Sequence, residues 1–588
     1  MAQQNPRPYN VEYLNNPSQE ELRELALAHT PAVQQAKSGS VNKVSRNKSR
    51  VAAYTYIIDG SGLDRWSHQV IDPDKARDII ARQEAYIAEK GKLIAIDGYV
   101  GLGRGAFGAT WLYTLEGANI AGMQQILAFP REDVETPAQL KEAFKPVFKL
   151  VYTPDLRLED MPGRQAIIVD IENWTTYVIG ADYFGESKKG VLRMLNEYSY
   201  QKGALVLHAG AKSVTRKDGT RVAMTVMGLS GTGKTTTTFS KQGDRTEPIQ
   251  DDMVTLWPNG AISITENGCF AKTEGLSLES EPIIYEATIR GDAWLENAYL
   301  GEDGEYDFSK GVLSAAEVKR VREILLLTGA NGANVDKYIA GEVKAEDVLD
   351  ARGVPADGWD FVVWSQNGRS IVPMSSIPGA ADFGNLPEVK SMGVLNRDEG
   401  PDAAMPGILR FTSPEQAAGF FMLGETSKTS AAGKDRGKTR SPFTQPFFPA
   451  KHGLQAQRFA ELASTMSGVT MWLMNTGYVG GDANDVKADK ALKVKIRHSS
   501  AMLEALLSED IKWKVDPDFG YEIVDVDAPE NAALVDKVPA DILEPRRYFE
   551  KVGRAEDYKK WVAKMKSERR EFLGRFAVAA PIIEATCA

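Results

Sequence analysis

The chain has 588 residues, 43% hydrophobic and 26% charged, with a formal net charge of −10. That length is too great for one small core and predicts two or more domains, while the acidic balance argues against general nucleic-acid binding, which needs a basic excess. No run of about 18 apolar residues is present to span a membrane, and the two cysteines, Cys269 and Cys587, make neither a disulfide framework nor a structural zinc cluster.

The first residues, MAQQNPRPYNVEYLNNPSQEEL, lack the apolar core of a secretion signal, so the cytoplasm is the expected compartment. Asn16-Pro17-Ser18 before QEELRELALAHT reads as a cap and a short helix. The basic run ending at Arg50, NKVSRNKSR, reads as a solvated face or as a phosphate patch. Ile94 to Asp97 reads as a strand end. The glycine-rich GYVGLGRGAFGA after it suits either backbone approach to a ligand around an Arg104 fork or a flexible surface loop.

Ala166–Asp170 and Thr176–Ile179 read as strands, and Ala181 to Gly190 leads into an amphipathic helix, VLRMLNEYSYQKG, that Gly203 ends. Ala204–Leu207 is the next strand, with His208 at its end as either a metal ligand or a packed core histidine. KSVTRKDGTR then reads as a hairpin connection, which brings His208 and Lys234 to neighbouring strand ends.

Val222, Met224, Val226 and Met227 predict a buried strand running into Gly228-Leu229-Ser230-Gly231-Thr232-Gly233-Lys234-Thr235, which fits the phosphate-binding pattern G-x-x-x-x-G-K-[ST]. Its glycines Gly228, Gly231 and Gly233 let successive N–H groups curl around an anion, and a helix N-terminus adds its positive end. Lys234 can meet the outer phosphates, and the Thr235 hydroxyl can join the shell of Mg²⁺. A nucleoside triphosphate site follows. Gln242-Gly243 closes the following helix after barely three turns. Asp251-Asp252, 17 residues beyond Lys234, supply hard oxygen ligands or form a solvated turn. So short a link does not fit Ras-like or ATPase domains and predicts a different architecture.

An ordered series of motifs from about residue 90 onward resembles the ATP-dependent phosphoenolpyruvate carboxykinases. The series runs through Tyr183-Phe-Gly-Glu-Ser-Lys-Lys189, His208, Gly228–Thr235, Asp251-Asp252, Cys269-Phe-Ala-Lys-Thr273, Glu281-Pro282, Leu295-Glu-Asn297 and Asn367-Gly-Arg369. It continues through a loop from Thr412 to Gly437, Asn475-Thr-Gly-Tyr-Val-Gly-Gly481 and Val538-Pro-Ala-Asp-Ile-Leu-Glu-Pro545. The resemblance implies an α/β, two-lobed fold with mixed sheets. An N-terminal substrate lobe would span 1–214, a C-terminal lobe with the P-loop would span 215–588, and the active site would lie in the cleft between them. It implies decarboxylation and phosphorylation of oxaloacetate by ATP, giving phosphoenolpyruvate, ADP and CO₂, in a monomer or small homo-oligomer.

By the same resemblance Lys189, His208 and Asp252 would hold Mn²⁺, with Lys189 neutral. Thr235 and the nucleotide phosphates would hold Mg²⁺, with Asp251 nearby through water. Arg104, Tyr183 and Arg369 would grip the substrate carboxylates, and Lys188 and Lys234 would reach the transferring phosphoryl group. Lys272 and Glu281 would serve the nucleotide's phosphate and ribose side, and Lys493 and Ser499 would lie by the base.

Four departures stand out. The family's R-S-P-x-D reads Arg104-Gly-Ala-Phe-Gly here, Met253-Val254 follow the paired aspartates, and Lys493 and Ser499 replace an arginine and a threonine. The segment from Glu296 to Arg369 is longer by roughly 45 residues, with an amphipathic helix near Ala315–Leu327. This insertion, about 300–360, reads as a surface addition, an oligomer contact or a lid. Two further readings of function remain: a kinase of the same fold acting on another small acid or a protein, and a catalytically silent nucleotide-binding protein.

Overall fold

A computed structural model describes residues 7–46, 51–216, 218–229, 232–240, 246–350, 353–428, 437–445 and 447–588. The chain divides into two compact units, 1–198 with 265–378 and 199–264 with 379–588. This differs from one boundary near 214, because the chain interleaves. Strands Gly268–Lys272, Arg369–Pro373 and Trp294–Glu296 form one sheet with Val41–Lys43 and Val33–Gln35, which ties the middle of the sequence to its beginning.

The first unit also holds an eight-stranded mixed sheet, in order Glu12–Asn15, Lys92–Val100, Phe107–Tyr113, Phe148–Thr153, Thr175–Ile179, Ala166–Asp170, Thr55–Ile58 and Gln69–Ile71. Ahead of Gln19–His29 the predicted cap forms: Ser18 and Glu21 close a reciprocal capping box. The helix Gly185–Gln201 starts earlier than its apolar pattern suggests, so Lys188 and Lys189 lie in its first turns.

The insertion is a helical cluster within this unit. In place of one helix over 315–327 there are two, Ala315–Arg320 and Arg322–Leu327, separated at Val321, followed by Gly332–Ile339 and Ala345–Val348. Val318, Leu325, Val335 and Tyr338 pack with Phe361 and Trp364, and with Ala32 and Val44 from the N-terminal segment. The Tyr338 hydroxyl donates to the Leu313 carbonyl at 2.7 Å.

The second unit is built on an eight-stranded mixed sheet. Its order is Thr246–Gln250, Ala209–Thr215, Arg221–Met227, Val389–Asn396, Thr470–Asn475, Ile408–Arg410, Glu522–Val524 and Trp513–Val515. Ala209–Thr215 and Arg221–Met227 form the predicted hairpin, with Ala209 opposite Met227. Val222, Met224 and Val226 join Trp472, Leu395 and Met502 in the core. The helix after the phosphate loop, Lys234–Phe239, has only six residues. Among the described residues no helix is long and apolar enough to cross a membrane.

Candidate active site

In the first unit the helix start brings Tyr183, Lys188 and Lys189 together, and strand pairing adds Arg369. Lys272 lies opposite Arg369 on one side, Glu296 opposite it on the other, and Lys43 opposite Glu296. One row across four strands therefore reads Lys272, Arg369, Glu296, Lys43. Phe270, two residues before Lys272, lies between the charged groups. Lys188 Nζ is 5.6 Å from its ring centre and the Arg369 guanidinium 5.7 Å, while Lys189 Nζ is 5.7 Å from the Tyr183 ring. Three cations over two aromatic faces make a site for an anion, with the ring quadrupoles helping to keep the cations in place.

The two lysines are also fixed from behind. Lys188 is buried and pairs with Glu266 at 2.8 Å, beside a cavity of about 10 Å³, room for one water. Lys189 meets Glu186 at 3.3 Å, and Arg193 meets the other oxygen of Glu186 at 3.0 Å. Burial alone would push the Glu186 carboxyl up, but the charges of Lys189 and Arg193 outweigh it and hold it below the usual range. Burial pushes the Tyr183 hydroxyl up to about 12, so it stays protonated as a hydrogen-bond donor.

Glu296 holds the turn that carries Tyr183, since its Oε1 accepts from the Phe184 N–H at 3.1 Å. Its Oε2 is buried without a hydrogen-bond partner among the described residues. Burial, reinforced by the nearby Asp182 charge, pushes the Glu296 carboxyl up to about 8 against the opposing pull of the Phe184 N–H, Lys43 and Arg369. Asp182 itself meets Lys43 Nζ at 3.3 Å and accepts from the Arg46 N–H at 3.1 Å. The basic run read from the sequence is thus partly a buried support, while its residues 47–50 lie outside the described residues.

In the second unit His208, Lys234 and Asp252 converge. His208 Nε2 lies 2.9 Å from Asp252 Oδ1, and Lys234 Nζ lies 3.3 Å from the same oxygen. The other ring nitrogen, Nδ1, is 2.9 Å from the Phe443 carbonyl. An Nδ1–H donated to that carbonyl turns the Nε2 lone pair toward Asp252. Two acceptors at that distance need a proton or a cation between them, and an imidazole nitrogen with a carboxylate oxygen suits a divalent metal. The donor set therefore fits. Among the described residues no group of three or more His, Cys, Asp or Glu side chains could hold a metal, so the preformed part of the site is this pair.

The phosphate loop leaves the strand Arg221–Met227 at Gly228, where an added Cβ would stand 2.3 Å from Thr232 Oγ1. Thr232 Oγ1 donates to the Leu229 carbonyl at 2.8 Å, and Thr476 Oγ1 donates to the Thr232 carbonyl at 3.0 Å. Gly233 has φ +92°, in the left-handed region that glycine tolerates. Ser230 and Gly231 lie outside the described residues, as does the Thr235 side chain. Asp251 is buried at the end of the strand Thr246–Gln250.

Arg104 is exposed on the turn Gly103–Gly105. Lys272 pairs with Glu274, and Glu281 stands ahead of the helix Pro282–Thr288. Lys493 Nζ donates to the Tyr478 hydroxyl at 2.9 Å and lies 4.3 Å from its ring centre, while Ser499 falls in the first turn of Ile496–Leu507. Sequence reasoning missed Glu266, Phe270 and Glu296 as parts of the site. Phe270 and Glu296 fall inside the motifs Cys269–Thr273 and Leu295–Asn297, and for Glu266 the signal was that buried cations need counter-charges.

A family model described as phosphoenolpyruvate carboxykinase matches residues 11–321 and 358–531, leaving out 322–357 of the insertion. The chain is similar to curated proteins named phosphoenolpyruvate carboxykinase (ATP). That of Rhizobium rhizogenes is 28% identical over 418 residues, covering 69% of this chain and 63% of the relative. That of Mesorhizobium japonicum is 29% identical over 416 residues, covering 67% and 63%. That of Bradyrhizobium diazoefficiens is 28% identical over 433 residues, covering 69% and 66%. The chain thus spans less than two thirds of the length of these relatives.

Proposed function

We infer the activity from the family, for the chain belongs to the phosphoenolpyruvate carboxykinases, and we propose that it converts oxaloacetate and ATP into phosphoenolpyruvate, ADP and CO₂. The observation that carries this reading is the convergence of His208, Lys234 and Asp252 beside the phosphate-loop helix. A phosphate-binding lysine and a divalent-metal ligand pair sharing one carboxylate oxygen suit phosphoryl transfer to a small oxyanion.

In this reading Gly228 to Thr235 cradle the nucleotide phosphates, Lys234 and Lys188 supply positive charge to the transferring group, and Lys272 and Glu281 serve the nucleotide's phosphate and ribose side. Lys493 and Ser499 are assigned to the base. Tyr183, Arg369 and Arg104 bind the substrate carboxylates, with Phe270 as the apolar floor. His208 and Asp252, with Lys189 in its neutral form, would hold Mn²⁺, while Thr235 would hold Mg²⁺ with Asp251 nearby. When bound, these ions supply Lewis-acid stabilisation of the enolate oxygen and neutralise phosphate charge. The residues orient the carboxylate so that the departing CO₂ leaves its electron pair in the enolate, and Arg369 and Lys234 neutralise the equatorial oxygens during in-line transfer.

The test is phosphoenolpyruvate formation by purified protein given oxaloacetate, ATP, Mg²⁺ and Mn²⁺, compared with Lys234→Met. Product in the wild type and not in the variant is the expected result. ATP binding without that product would instead favour another acceptor or a silent binder. The exposure of Arg104 in a motif that departs from the family's favours the former of these.

A further inference from the structure

Lys212 is the one charged residue in the strand Ala209–Thr215, and it is fully buried. Its Nζ donates to the Thr237 carbonyl at 2.7 Å and to the Ser240 carbonyl at 3.4 Å, which are end carbonyls of the helix Lys234–Phe239. The last carbonyls of a helix lack intrahelical donors and carry its negative end, so an ammonium there satisfies both. Strand periodicity puts Gly210 on the same face. A Cβ at Gly210 would stand 2.0 Å from Thr238 Oγ1, so the helix rests directly on the strand's backbone.

The Lys212 ammonium finds carbonyls and no carboxylate among the described residues. The charged groups on the elements packed against its strand are engaged elsewhere. Arg221 pairs with Glu247 at 3.0 Å, Lys234 with Asp252 at 3.3 Å, and His208 at the head of the strand with Asp252 at 2.9 Å. Asp251 follows the neighbouring strand Thr246–Gln250. Burial alone moves the lysine, down to about 7. A methionine would fill this space without that desolvation, so stability does not account for a lysine here.

We propose that Lys212 is a positioning residue of the nucleotide site, whose ammonium fixes the end of the helix Lys234–Phe239 and so aims the helix's first turn at the nucleotide phosphates. This rests on reading that helix as part of the nucleotide cradle. The mechanism has no step for Lys212, which acts through the helix that begins with Lys234 and Thr235.

The position separates affinity from stability. A lysine depressed in the fold is destabilising while the unfolded chain still holds its proton, so its removal costs no stability at neutral pH. Nucleotide affinity is where its loss shows.

The experiment measures MgATP dissociation constants by calorimetry, and unfolding temperatures, for wild type and Lys212→Met between about pH 6 and about pH 9. Taking the ratio of the two constants cancels the nucleotide's own titration. The variant binds about tenfold more weakly at about pH 6. That ratio shrinks toward one as wild-type Lys212 loses its proton, and the variant unfolds at an equal or higher temperature. Lys212→Gln, which keeps a donor without the charge, falls between the two and serves if the methionine variant does not fold. Equal affinities at about pH 6, a ratio that does not change with pH, or weaker binding in step with a lower unfolding temperature would overturn the proposal. If wild type binds MgATP and the variants match it, the positioning role alone fails. If wild type binds no MgATP, the nucleotide reading fails first.

Discussion

Replacing Glu296 by glutamine makes the first unit more stable as pH rises. The wild-type carboxyl is fully buried, accepts one hydrogen bond from the Phe184 N–H and is pushed up to about 8 from 4.5. A carboxyl raised in the fold keeps its proton where the unfolded chain has lost it. Its full contribution is therefore present below about 4.5 and is lost as pH rises toward about 8, by about 5 kcal/mol in all. Glutamine is neutral throughout, and its amide oxygen can still accept from Phe184. Between about pH 5 and about pH 9 that loss is about 4 kcal/mol, so with about 2 °C per kcal/mol in a unit of this size the variant gains about 8 °C on the wild type. Thermal unfolding followed by tryptophan fluorescence across that range measures it. A constant gap, or a wild type that becomes the more stable protein at alkaline pH, would refute a protonated, buried Glu296. Relative to Glu296→Gln, Glu296→Ala leaves the Phe184 N–H without its acceptor and costs about 1–3 kcal/mol at both ends of the range.

Other outcomes follow from the two clusters. His208→Gln removes the nitrogen that faces Asp252, so Mn²⁺ stimulation of phosphoenolpyruvate formation is lost while the calorimetric affinity for ATP holds; a parallel loss of ATP affinity would contradict the metal assignment. Phe270→Leu removes the ring beneath Lys188 and Arg369 and lowers kcat/KM for oxaloacetate about tenfold, with Phe270→Tyr restoring it. In the second unit, Arg569 and Glu425 form a buried pair at 2.8 Å. Arg569→Met strands the carboxylate and costs about 3–5 kcal/mol in thermal unfolding at neutral pH. Burial raises Glu425, but Arg569 and Arg440 outweigh it and hold its carboxyl well below the usual range. The stability from this pair is present above about 4.5 and is lost as pH falls, so the gap to the variant narrows in acid.

What could be read in the sequence was local. The hairpin before the phosphate loop, the Ser18 cap and the strand feeding Gly228 each rest on neighbours a few residues apart, where periodicity and turn chemistry decide. His208 and Asp252 were legible as candidates because metal-ligating side chains at strand ends are chemically marked, and the fold brings them within 2.9 Å. The supports were not legible. Glu266 meets Lys188, and Glu296 meets the Phe184 N–H, across long stretches of chain, and no local pattern selects one carboxylate among 80 acidic residues. The interleaving of the units was hidden for the same reason, since Val41–Lys43 pairs with Trp294–Glu296 across most of the first unit's sequence. The helix expected over 315–327 breaks at Val321, where the chain turns inward to join Leu325 and Val318 in a small core. Propensity predicts helix there, and tertiary packing sets its length.

The most direct test of the proposed activity is a single turnover with γ-³²P-labelled ATP, carboxyl-labelled oxaloacetate and both metal ions. Label passing from ATP into phosphoenolpyruvate, mole for mole with CO₂ released and abolished in Lys234→Met, is the predicted result. Label appearing as inorganic phosphate or on another acceptor, without matching CO₂, would contradict it.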